Sequence, residues 1–261
     1  MTCAVAFMLA AQAKAFFSPR QETKHPASQQ EQPLSISNGK LSATFSGDIS
    51  AEEIFLSDTT IPDKVQNSPF AVLRIDDQNS NPTKHFHRSL SVDSGLVSES
   101  YQKGSTRFHR EYFSSRQDHL LAMRLSADKA QALSFSVSLS AFGPHKAKAR
   151  GQQITMTGHL TPYKDSILHF CSILKANTPD GKIFATDSTL FIDGATDVVL
   201  YYVNESSLND EFPYIEKAAD DAWHTVNYTY EQFRERHLAD IRKASKLSDK
   251  KNRPQESNFR P

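Results

Sequence analysis

Glycine is scarce in this chain, at nine in 261 residues, and there is no Gly-rich phosphate loop, no GxSxG elbow and no HExxH. Those absences exclude the usual backbone cradles for nucleotide phosphates, the strained turn that presents a hydrolase serine, and the helical zinc-protease site. Cysteine is scarcer still, at two, and Cys3 falls in the leading segment 1–15, which leaves Cys171 alone. A single thiol builds no disulfide framework, thiolate zinc site or CxxC redox pair. Cys171 lies in the apolar run SILHFCSILK, where a buried thiol behaves as a small inert hydrophobe, so it reads as packing and not as a nucleophile. Net charge is missing too: thirty Lys and Arg balance thirty Asp and Glu. No overall field therefore draws the protein to nucleic acid or anionic lipid, and a neutral partner fits best. No apolar run approaches the roughly 20 residues of a membrane span.

What is present begins with an apolar run from Ala4 to Ala11 followed by Ala13-Lys14-Ala15, a small-x-small pattern that reads as a signal peptide over 1–15 and places the protein outside the cytoplasm, secreted or periplasmic. The n-region carries only Thr2 and Cys3 where Lys or Arg is usual, so a disordered or buried N-terminus stays open as the alternative. Residues 16–33 are rich in Gln, Pro and Ser without periodicity and read as a disordered linker.

From Leu34 the chain alternates. In LSFSVSLS, Leu133, Phe135, Val137 and Leu139 share one face and Ser134, Ser136, Ser138 and Ser140 the other. RFHREYF, HLLAMRLSA, QITMTGH, SILHFCSILK, KIFAT, STLFI and DVVLYYV follow the same logic. Asp93-Ser94-Gly95, Lys103-Gly104, Asp180-Gly181 and Asp193-Gly194 supply the positive φ of tight hairpin turns. With no helix between strands to carry parallel crossovers, the expectation is a mainly β fold: a large antiparallel β-sandwich (supersandwich) over 34–226, followed by one amphipathic linker helix over 227–247 and a disordered tail over 248–261. On that helix Tyr230, Phe233, His237, Ile241, Ala244 and Leu247 form one stripe, and Thr229 with Gln232 matches a capping box.

No residue emerges as catalytic. In STRFHREYFSSRQDHL, Arg107, His109 and Glu111 share one strand face while Phe108, Arg110 and Tyr112 share the other, so a solvent-facing charge ladder explains the first three better than a ligand site. His85 and His87 are two apart, as a metal pair on a strand would be, but no third ligand is identifiable, and neither a metal nor another cofactor is implied. Asp76-Asp77, Asp220-Asp221 and Glu52-Glu53 are adjacent carboxylates that point apart and read as solvated surface. Trp223 with Tyr201, Tyr202, Tyr214, Tyr228 and Tyr230 would make a sugar-stacking platform if exposed, but core packing explains most of them.

The order of motifs says more than any single one. Asn38-Gly39-Lys40-Leu41 with Gly47, Arg88 with Asp93 and Gly95, Arg110-Glu111-x-Phe113-x-Ser115, Arg124-Leu125 with Asp128, and Arg236-His237-Leu238-Ala239-Asp240 run collinearly from Leu34 to Leu247. In that order they resemble the N-terminal β-sandwich domain of glycoside hydrolase family 95, the α-L-fucosidases and relatives. The resemblance implies that the catalytic (α/α)6 barrel, with its acid and water-activating residues, follows the sandwich and is absent from this chain. Whether the chain is an enzyme on its own is thus left undecided, and no catalytic residue carries over. The implied role is an accessory domain whose helix, through Phe233, His237 and Ile241, docks on a helical barrel and whose partner glycan is fucosylated. Two other classes stay in view: a free-standing glycan-binding β-sandwich module and a structural surface protein.

Overall fold

The computed structural model describes residues 20–23, 33–60, 69–163, 166–207 and 213–251. The expected signal peptide 1–15 and residues 252–261 of the expected tail lie outside them. The described strands form two antiparallel sheets. The first has nine strands, in the order β1 (Arg20–Thr23), β6 (Thr83–Ser91), β7 (Leu96–Lys103), β8 (Thr106–Ser115), β9 (Leu120–Ala127), β16 (Asp197–Ser206), β13 (Ser166–Asn177), β12 (Gln153–Tyr163) and β11 (His145–Arg150). The second has seven, β14 (Lys182–Thr186), β15 (Thr189–Ala195), β10 (Leu133–Ala141), β5 (Ala71–Asp77), β4 (Ala51–Asp58), β3 (Leu41–Phe45) and β2 (Leu34–Ser37). The antiparallel β-sandwich expected from the sequence is the fold.

Its core forms where period-two alternation in both sheets turns the same way. On β10, Leu133, Phe135, Val137 and Leu139 are buried and the serines between them are not. Phe45, Ile54, Leu56 and Ile75 from the seven-stranded sheet meet Tyr112, Met123, Leu200 and Tyr202 from the nine-stranded one.

The outer face of the nine-stranded sheet breaks the alternation. Both faces of β16 are buried along most of its length, because a helical layer covers it. Among the described residues that layer holds two helices, where one was expected. Helix α1 (Tyr214–His224) packs on β13 and β16, and α2 (Tyr230–Lys251) packs on β8. Together they seal a second core in which Phe113, Ala122, Ile173, Tyr201 and Val203 meet Ala218, Ala222, Tyr230 and Phe233. Helix α1 falls inside the stretch assigned to the sandwich; it is 11 residues long, and its inward face is Ala218 and Ala222 with Tyr214 partly buried beside them.

The capping box forms as expected: Thr229 N–H donates to Gln232 Oε1 at 2.9 Å and Gln232 N–H to Thr229 Oγ1 at 3.3 Å. Other local expectations change. Gly95 and Gly104 close hairpins, but Asp180-Gly181 lies on a crossover between sheets, from β13 to β14, and Gly194 sits in a bulge of β15. A positive φ marks a sharp backbone bend in each case, and only pairing between distant strands decides which kind. Arg20–Thr23, within the stretch expected to be disordered, pairs with β6, and the first four residues of the expected tail continue α2.

Candidate functional site

Strand β8 distributes its polar residues between two environments. Arg107 and His109 are exposed, as a charge ladder requires. Glu111, on the same face, is instead roofed by α2, where Tyr230 Oη donates to it at 2.9 Å and Arg234 Nε at 2.7 Å. The β8–β9 turn continues this joint. Asp118, fully enclosed, accepts from Ser115 Oγ at 2.7 Å and from Arg236 Nε at 3.0 Å. Arg116 pairs with Asp240, and His237 donates from Nε2 to the Ser94 carbonyl at 2.9 Å while its ring stacks on Phe113. Burial holds His237 below the ordinary imidazole range, so it serves as a neutral donor. Gly95 admits this contact: its φ is +62°, and a Cβ there would meet Ile241 Cδ1 at 2.9 Å.

The second group lies inside the sandwich, and the sequence reading missed it. Arg110 points inward between Phe108 and Tyr112, Glu99 between Val97 and Tyr101, and Glu52 shares its face with Ile54 and Leu56. Each interrupts an apolar face, which was the available signal. Glu52 thereby corrects the reading of the adjacent carboxylates as solvated surface, since it is 0% exposed. Arg88 Nε stands 3.0 Å from Glu99 Oε1, close enough for an ion pair but not aligned as a hydrogen bond. Arg110 Nη1 stands 3.9 Å from Glu52 Oε2, and Gly47 N–H donates to Glu52 Oε1 at 2.9 Å. Burial, with Glu99 nearby, pushes Glu52 up to about 8 against the opposing pull of Arg88 and Arg110. Two carboxyl groups are thus available, but neither touches solvent, so no glycoside reaches them.

A third group is the most hydrolase-like. Glu205, at the end of β16, and Asp221, on α1, both accept from Lys217 Nζ at 2.9 Å, and Lys40 adds a second ammonium to Glu205. Burial alone would raise Glu205, yet its bonds from Lys40 and Lys217 hold it below the usual carboxylate range. Asp221 is raised, by burial first and then by Glu205, against the pull of Lys217. Carboxyls pushed apart in this way fit acid and base roles. Their partners argue otherwise: the Glu205 side chain is 2% exposed, and a sugar would have to displace two lysines to touch it.

The remaining candidates scatter. His85 is exposed at a β-bulge with φ +52°, and among the described residues no group of three His, Cys, Asp or Glu is placed to hold a metal. Cys171 is buried, and burial raises its thiol to about 11. Tyr201, Tyr202 and Tyr230 belong to the two cores, whereas Trp223 is 69% exposed. Asp77 is tied to buried Lys103 at 2.8 Å.

Comparison with known proteins gives these joints a context. The family model described as "Glycosyl hydrolase family 65, N-terminal domain" matches residues 55–210. Over 188 residues the chain is 27% identical to "Alpha-L-fucosidase 2" of Arabidopsis thaliana, a match that covers 60% of this chain and 22% of that protein. Among solved structures, "Putative kojibiose phosphorylase from human microbiome" superposes with a TM-score of 0.52 at 10% identity, over 80% of this chain and 35% of that one, which speaks to the fold alone. The chain thus spans between about a fifth and about a third of the length of these relatives.

Proposed function

Since the chain belongs to the family of glycosyl hydrolase family 65 N-terminal domains, we propose that it acts as the accessory β-sandwich of a family 95-type α-L-fucosidase and does not itself cleave the glycosidic bond. The observation that carries the reading is the fate of the fucosidase-like motifs. Arg110, Glu111, Phe113, Arg236, His237 and Asp240 are all consumed in packing the sandwich and fastening α2 to it. Chemistry spent on a joint is not available to a substrate. Beyond Ile241 the α2 side chains 242–245 are exposed, so the helix carries the chain away from the sheet. A helical catalytic domain would engage that outer stretch; Phe233 and His237 already face the chain's own sheet. Such a role fits a protein acting outside the cytoplasm.

The test is hydrolysis of 4-nitrophenyl α-L-fucoside by the purified full chain. No release of nitrophenol above the buffer rate is expected. Turnover that disappears in Glu205→Gln or Asp221→Asn would overturn the non-catalytic reading and make the lysine-bridged pair the active site.

A further inference from the structure

The helical layer covers β8, β9, β16 and β13 but stops short of β12 and β11, so among the described residues nothing packs on the outer face of those two strands beside α1. Register fixes what lines it. Arg150 on β11, Gln153 on β12 and Lys175 on β13 stand in one row, and Lys148 faces Thr155 in the next. Paired residues share a face. Ala147, Ala149, Ile154 and Met156 point into the core, which turns both rows outward.

Lys148, Arg150, Gly151, Gln153 and Thr155 border an open depression of about 520 Å³, within the range of small-ligand sites. On the helix side, Lys175 Nζ lies 6.0 Å from the centroid of the exposed Trp223 ring and donates one bond to the Ala222 carbonyl at 3.4 Å. Among the described residues no ion pair engages Lys148, Arg150 or Lys175. The zero net charge of the chain thus hides a local excess of cations.

We propose that this groove binds an acidic carbohydrate, an oligosaccharide bearing carboxylate or sulfate groups. Lys148 and Arg150 match its anionic groups with Lys175 beside them, Gln153 and Thr155 match its hydroxyls, and next to the depression the exposed Trp223 ring, which Lys175 overlies on one side, offers its other side to the apolar face of a pyranose ring. Edge strands commonly carry lysines that block aggregation, which would account for Lys148 and Arg150 alone. That account does not reach Lys175, on an interior strand, or the exposed Trp223 beside it. With no long-range field from the whole chain, a confined anionic ligand fits better than a nucleic acid, which rewards extended positive surface. The inference concerns binding only and stands whether or not the fucosidase reading holds.

The experiment is isothermal titration of the full chain in low salt with four probes: hexagalacturonate for carboxylate, a κ-carrageenan hexasaccharide for sulfate, maltohexaose as neutral sugar, and a single-stranded oligodeoxynucleotide. One or both acidic sugars should bind, and maltohexaose should not. The double variant Lys148→Ala with Arg150→Ala should weaken that binding about tenfold, and Trp223→Ala by a similar factor. These side chains are on the surface, so the melting temperature should stay unchanged, which separates lost binding from lost folding. Four results would overturn the proposal: no acidic sugar bound at millimolar concentration, unaltered binding by the variants, equal binding of maltohexaose, or tighter binding of the oligonucleotide with the same sensitivity to the variants.

Discussion

Glu52 and Glu99 lie with Arg88 and Arg110 among the aliphatic and aromatic side chains of the interior, where each of the four is buried. Such a quartet is expensive to dehydrate, and a slip of register would strand a charge in the core. Its most readable member is Glu52. Because its folded pKa, about 8, is raised above the ordinary value of 4.5, the folded state binds the extra proton across that interval. The contribution is therefore fully present below the ordinary value and is lost as pH rises toward the folded one, with a slope of at most about 1.4 kcal/mol per pH unit. His237, whose pKa is lowered by burial, works in the opposite sense and loses its contribution as pH falls. Urea denaturation across this range should thus show the wild type losing stability relative to Glu52→Gln as pH rises. Parallel profiles for the two proteins would mean that Glu52 is ionised in the fold.

At the scale of elements, α2 is fixed by a ring cluster and flanking charge pairs. Phe233 is 0% exposed and lies edge-on to Tyr201 and Tyr228, at 5.3 Å from each, so Phe233→Ala opens a cavity under the helix at a cost of about 3–5 kcal/mol. Chemical denaturation should show that loss, and limited proteolysis should cut α2 before it cuts the strands; cleavage as slow as in the wild type would mean that the charge pairs alone hold the helix. Much of this element was legible beforehand, because Thr229 and Gln232 are neighbours and their reciprocal bonds are local. The strand alternation of β10 was legible for the same reason. What the stripe of Tyr230, Phe233 and His237 would touch was not, since the covering surface comes from β8 and β16, more than a hundred and about thirty residues away respectively. The near-continuous apolar run of β16, VVLYYV, did carry a sign of it, because a strand apolar on both faces has to be covered on both. Of the proposed groove, the sequence offered Trp223 but neither Lys148 nor Arg150, which come beside Lys175 only because β11 pairs with β12 and β12 with β13.

At the scale of the molecule, the helices change what the chain is. A sandwich with a free apolar helix would self-associate through that helix, whereas here the stripe completes the outer core and the sheet is as dependent on the helix as the helix is on the sheet. Removing residues 229–261 would strip Tyr230 and Phe233 from above Phe113 and Tyr201 and leave Glu111 and Asp118 without Arg234 and Arg236. Unpaired enclosed carboxylates next to bared aromatic rings destabilise a fold and expose a surface that other copies can cover. The shortened chain should therefore sediment as aggregates or be recovered insoluble, while the full chain stays dispersed at the same concentration. If the shortened chain is as soluble and melts at the same temperature, the helix is an appendage, and the fucosidase-like motifs at its root would need a role other than joining it to the sheet.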